Sequence, residues 1–180
     1  VAVGRCACAE ACRVARAAMR VQAADVEGRV LAIDGLNVVT TIEVALARGV
    51  LLLGRDQCLR DMASFHGSYR LVHETEPALT ILVDLVRALR PTHTVVYIDR
   101  PVSNSGRLAE ALRAAARAGE VGLEAETADD VDGTLKRAEG VVASADSAIL
   151  DVCGAWLPLA RLAVERHRDA MPPLWLVDLS

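Results

Sequence analysis

Three aspartates stand at the ends of short apolar runs: Asp34 after "VLAI", Asp99 after "VVYI" and Asp146 after "VVASA". If the runs are strands of one parallel sheet, their carboxyl ends lie along one edge, where ligands bind. Several carboxylates sharing that space repel one another and raise each other's pKa, a costly arrangement unless a cation relieves it. Oxygen-only donors favour Mg²⁺ or Mn²⁺ over zinc. Such an ion, with water positions left open, activates water and steadies the charge of a phosphate. The expected chemistry is metal-assisted phosphodiester hydrolysis, with Asp34, Asp99 and Asp146 as the acids. A fourth strand-end acid, Asp178 after "LWLV", has no polar company and is expected to be structural.

Each aspartate alone is more often a turn former or helix cap than a ligand. Their conjunction carries the hypothesis, and Asp34 is the strongest member because Gly35 and Asn37 follow it, giving a tight turn with a second polar group. In "TADDVD", Asp129, Asp130 and Asp132 make either a solvated loop or the source of a further ligand; spacing does not choose between Asp130 and Asp132. "DRPVSNSGR" places Ser103 and Ser105 at a helix start, a capping sequence that also suits an anion, with Arg100 and Arg107 as phosphate contacts. "GRDQCLRD" holds Arg55, Asp56, Arg60 and Asp61, read as surface ion pairs or as a basic rim using Arg55 and Arg60. His66 in "FHGSYR" is expected to be incidental. Phosphate-loop, dinucleotide and nucleophile-elbow motifs are absent from the sequence.

The elements that must position these residues follow from pattern. Residues 9–24, rich in Ala, Arg and Met, predict a helix. "RVLAID" predicts a buried strand, "TTIEVALAR" a helix capped by Thr40 or Thr41 and stopped by Gly49, and "VLLL" a short strand. "RDQCLRDMASFHGSYR" should end in a loop around Gly67. "TEPALTILVDLVRALR" is a helix with Thr75 as cap and Pro77 in the first turn, ended by Pro91. Next come a strand in "HTVVYID", a helix in "SNSGRLAEALRAAARAG" capped by Ser103 or Ser105, and a short strand within "VGLEAETADD". A short helix in "GTLKRAEG", a strand in "VVAS", one or two helices after Asp146 and a last strand in "PLWLVDL" complete the chain. Alternating strands and helices predict a mostly parallel sheet covered on both faces. One α/β domain over residues 29–180 is expected behind an N-terminal helical segment, 1–28.

A hydrophobic fraction of 53% excludes disorder, and aromatics at 3% leave few stacking platforms for single-stranded nucleic acid. A net charge of −4 argues against a general nucleic-acid binder. No apolar run spans a bilayer, and no apolar segment follows Arg5, Arg13, Arg16 and Arg20, so neither a membrane span nor a signal peptide is expected. A cytoplasmic location follows by default. The opening Val1 is expected of a chain lacking its initiator. Cys6, Cys8 and Cys12 lack a C-x2-C pair and a fourth ligand, so packing on an alanine-rich helix is expected rather than zinc. The aliphatic content permits a homodimer but locates no interface.

"LAIDGLNVV" resembles the first motif of NYN and PIN-like nuclease domains, and "VVASADSAILD" a later motif of that superfamily. "AIDGLNVVTTIEVAL", "GRDQCLRDMASFHGSYR", "IDRPVSNSGRLA" and "ASADSAILD" resemble the prokaryotic family called domain of unknown function 434. The nuclease resemblance implies a three-layer α/β/α, PIN/NYN-like fold, an acidic Mg²⁺ or Mn²⁺ site and RNA cleavage. By position it implies Asp34, Asp99 and Asp146 as ligands, Asn37 orienting a ligand or the phosphate, and Asp130 or Asp132 as the remaining acid. It gives Ser144 and Ser147 a phosphate-binding or capping role. The resulting expectation is a metal-dependent ribonuclease. The alternatives are a non-catalytic nucleotide- or phosphate-binding module, and a phosphatase or nucleotidase for small substrates.

Overall fold

The computed structural model describes residues 6–62 and 68–180. The expected loop around Gly67, with His66, lies outside the described residues.

The N-terminal helix α1 spans Glu10–Met19, and a 3-10 turn at Ala23–Val26 follows it. Strand β1, Val30–Asp34, runs without a loop into helix α2, Gly35–Leu46. The direct junction is possible because Asp34 caps the helix itself: its side chain accepts from the Asn37 backbone N–H. Thr40 and Thr41, expected as caps, therefore lie inside the helix. Gly35 is needed at the junction, since a Cβ there would stand 2.8 Å from Val96 and Ile98 side-chain carbons on the neighbouring strand.

Strands β2 (Val50–Leu53) and β3 (Leu59–Asp61) form an antiparallel pair. β3 arises within a stretch for which no strand was expected; Asp56 and Arg60 pair in the interior there, while Arg55 stays exposed. Helix α3 (Thr75–Leu89) leads to β4 (His93–Asp99), and helix α4 (Ser105–Ala118) to β5 (Glu124–Ala128). The start of α4 corrects the capping expectation. Asn104 holds the cap position in a left-handed conformation, φ 65°, without a side-chain cap, and the Ser105 hydroxyl donates instead to the Arg100 carbonyl. Helix α5 (Val131–Lys136), strand β6 (Val141–Ala143), helices α6 (Ser147–Leu150) and α7 (Leu159–Arg166) and strand β7 (Trp175–Asp178) complete the order.

Four strands form an all-parallel sheet in the order β5-β4-β1-β6, while β3-β2-β7 make a second sheet. The expectation of an α/β chain with a mostly parallel sheet holds. Alternation of side chains puts Leu31 and Ile33 of β1 into one apolar cluster with α2, α3, α4 and α7. Ala32, between them, faces a second cluster built from α5, α6, Cys58 and Trp156. Helices therefore cover both faces. Asp178 ends a strand of the second sheet and accepts from the Ser180 backbone N–H.

Candidate functional site

The carboxyl ends of β1 and β6 are joined by polar side chains. The Ser144 hydroxyl donates to Asp34 Oδ2 at 2.8 Å and accepts from the Asp146 backbone N–H at 3.0 Å. Asn37, one turn into α2, accepts the Ala145 backbone N–H at 2.9 Å. The sequence needs both short polar residues here, because the strand ends leave backbone groups with no ladder partner. Asp146 caps α6 by accepting from Ala148 N at 2.6 Å, and its side chain is exposed.

Asp34 is buried, and burial pushes its carboxyl up to about 7. The Ser144 and Asn37 hydrogen bonds oppose that rise, while the charges of Asp99 and Asp146 add to it. Asp99, half-buried at the end of β4, is also raised, first by burial and then by Asp132. Asp34 thus feels both other strand-end acids. Of the two candidates left open by spacing, Asp132 is the one whose charge reaches Asp99. Asp130 instead caps α5 through the Gly133 N–H at 2.8 Å.

A cavity of about 330 Å³ opens beside this junction, lined by Asn37, Thr41, Arg60, Asp61, Ala145, Asp146, Ser147 and Ala148. Asp61 and Thr41 belong to it and were not among the expected site residues. Asp61 is buried, and the Thr41 hydroxyl lies 2.9 Å from its Oδ2. The signal in the sequence was weak, since Asp61 sits in a charge-rich stretch that reads as ion pairs. A larger cavity of about 770 Å³ lies between α3 and α4, and none of the strand-end acids lines it. The smaller one has the converging polar groups that chemistry requires.

Arg60, which lines the cavity, belongs to an internal ion network. Arg60 forks onto Asp56 (2.8 and 2.6 Å) and donates from Nε to the Ala145 carbonyl at 2.9 Å. Arg16 of α1 reaches Asp56 at 2.7 Å and Asp151 at 2.7 and 2.9 Å. The two pairs on Asp56 are buried, against the surface reading of "GRDQCLRD", and Arg60 is spent on Asp56 rather than standing as a free rim cation. Arg55 turns away to Glu10 and the Cys8 carbonyl. Arg100 binds Asp129 and the Thr127 carbonyl. Ser103 pairs with Ser68, Ser105 serves the Arg100 carbonyl, and Arg107 is exposed; none of these lines the cavity. Of the expected residues, the structure brings Asn37, Arg60, Asp146 and Ser147 to the cavity, with Asp34 and Ser144 directly behind.

Among the described residues, no three His, Cys, Asp or Glu side chains form a group that would hold a metal. Magnesium needs only one or two protein carboxylates besides waters and phosphate oxygens. Asp34 and Asp146 offer carboxylates at adjoining strand ends, and Ser144 connects the Asp34 carboxylate to the Asp146 backbone N–H. No helix among the described residues is long and apolar enough to cross a membrane.

Residues 23–162 match a domain of unknown function, DUF5616. The chain is 30% identical over 126 residues to the uncharacterized protein MJ0935 of Methanocaldococcus jannaschii, an alignment covering 70% of this chain. The chain spans 60% of that protein's length. No solved structure matches.

Proposed function

The chain belongs to the DUF5616 family, and on the acidic strand-end pocket we propose that it is a metal-dependent phosphodiesterase of PIN/NYN-like, three-layer type acting on RNA. The observation that carries the reading is Asp34: a buried carboxyl at a strand end, oriented by Ser144 and Asn37, with Asp99 and Asp146 close enough to raise its pKa. A carboxyl so placed gains most from a cation.

Asp34 and Asp146 would hold Mg²⁺ or Mn²⁺, with Asp99 and Asp132 adding negative field. The ion would supply an activated water and a counter-charge for the phosphate. The chain's own contribution is orientation. Ser144 fixes the Asp34 carboxylate, Asn37 fixes the turn that presents Asp146, and Asp61 with Thr41 walls the opposite side. Because Asp34 holds its proton near neutral pH without the ion, cation uptake releases a proton and strengthens as pH rises through about 7.

A second reading, a nucleotidase or phosphatase for small substrates, is favoured by the arginines. Arg60, Arg55 and Arg100 are all committed to acids or carbonyls, so they offer little to a long polyanion. Calorimetric titration with Mn²⁺ tests the shared premise: wild type should bind and Asp34→Asn should not. Cleavage of RNA by wild type and none by the Asp34→Asn, Asp146→Asn double variant would support the first reading. Substrate affinity separates the two, falling steeply with salt for RNA and little for a mononucleotide. Equal Mn²⁺ binding by wild type and Asp34→Asn would overturn both.

A further inference from the structure

We infer that Arg16, on the N-terminal helix and outside the family-matched residues 23–162, is a positioning residue for the pocket turn 144–147. The inference rests on the site reading above, because that turn carries Asp146.

Arg16 is only 3% exposed although it comes from a helix at the edge of the chain. All five of its N–H groups find acceptors. Nε and Nη2 fork onto Asp151, Nη1 meets Asp56 and the Ser147 hydroxyl at 3.2 Å, and Nη2 also reaches the Ser147 carbonyl at 3.4 Å. The backbone that delivers it is pinned as well, since Trp156 Nε1 donates to the Arg16 carbonyl at 2.8 Å. On the other side of the turn, Arg60 holds the Ala145 carbonyl. Asp146 therefore sits between two guanidinium anchors, one on each neighbouring residue.

Charge balance separates this role from simple stabilisation. Without Arg16, Asp56 keeps its fork from Arg60, and the Asp151 side chain, 39% exposed, can be hydrated. No isolated charge is left in the interior, the condition that usually makes loss of a buried partner severe. The loss falls on Ser147 and on α6, a helix of four residues too short to hold itself. A lysine supplies the charge but only three donors on one atom, so it cannot span Asp56, Asp151 and Ser147 together.

Amide hydrogen exchange and Mn²⁺ calorimetry on Arg16→Ala and Arg16→Lys test the assignment. Arg13→Ala is the control, since Arg13 pairs with Glu10 on its own helix. Both Arg16 variants should speed exchange over residues 145–150 relative to β1 and β4, and weaken Mn²⁺ binding about tenfold or more, as loss of an orienting partner does. Arg13→Ala should change neither. A uniform rise in exchange across the molecule, unchanged exchange at 145–150, or failure of both variants to fold would overturn it. If wild type takes up no Mn²⁺, the metal reading fails alone, and the exchange pattern still decides the role of Arg16.

Discussion

At Asp34 a single carboxyl ends a strand, caps a helix and faces two other acids. Each of the first two roles needs only an acceptor, which a protonated carboxyl or an amide can still provide. The ionised form is the costly one. Its pKa rises from 3.8 to about 7 through burial, with Asp99 and Asp146 adding to it. The folded state thus keeps a proton that the unfolded chain gives up near pH 4. Stability from this group is fully present below that pH and is lost as pH rises through about 7. In metal-free buffer the protein should be less stable at pH 8 than at pH 5, with roughly 3 kcal/mol as the ceiling from this group between those two pH values. Asp34→Asn should flatten the difference, and Mn²⁺ should restore wild type at pH 8. Thermal melts at both pH values check this, and parallel pH profiles for wild type and variant would sink it. The residue types of this site were legible because strand-end acids in a parallel sheet must share an edge. Asp61 was not: it sits in a charge-rich hairpin, and its burial comes with Thr41 of α2, twenty residues away.

Among the elements, α3 shows how a correct helix can conceal a different use of its first residue. Thr75 reads as a cap, and the helix does begin there. Its hydroxyl, however, accepts from the Val72 backbone N–H at 2.9 Å and donates to Glu43 of α2 at 2.6 Å. Tyr69 donates to the same carboxylate oxygen. Burial raises the Glu43 carboxyl above its ordinary range, against the pull of Thr75 and Tyr69. The contact therefore ties α2, which starts at the site, to α3, and does so with a polar group inside an apolar cluster. Thr75→Val keeps the shape and removes both bonds, leaving the Val72 N–H and part of Glu43 unsatisfied. A loss of about 1–3 kcal/mol follows. Urea unfolding of Thr75→Val, Glu43→Gln and the double variant measures it, and additive effects would show that the two residues are not coupled. Periodicity reveals which face of a helix is apolar, so α3 and its stripe were readable. A glutamate buried among that stripe carries no periodic signal, and its partners lie 26 and 32 residues away.

The whole molecule is organised around one sheet with a cluster on each face, and the faces were not equally readable. Long aliphatic helices announce the first cluster. The second depends on α5 and α6, short helices, and on Trp156, which no pattern places. Nor could the sequence alone show that β2 and β7 leave the main sheet to join β3, because every apolar run reads alike until hydrogen bonding sorts them. Trp156 is what joins the N-terminal helix to the second face. It is fully buried, its indole N–H donates to the Arg16 carbonyl, and its backbone pairs with Met19 and Val21. Loss of the ring should therefore do two separable things. Trp156→Ala opens a cavity in the second cluster and should cost about 3–5 kcal/mol. Trp156→Phe keeps most of the apolar body but strands the Arg16 carbonyl, at about 1–3 kcal/mol. If α1 is docked through this side chain, Trp156→Phe should also speed exchange in both α1 and residues 145–150, through Arg16, while the first cluster keeps its protection. The remaining tryptophan, Trp175, is 63% exposed, so the blue-shifted emission of the native protein should vanish in either variant and confirm which indole is interior. Protection lost evenly from both faces would instead mean that Trp156 serves the core as a whole and that α1 has no privileged path to the site.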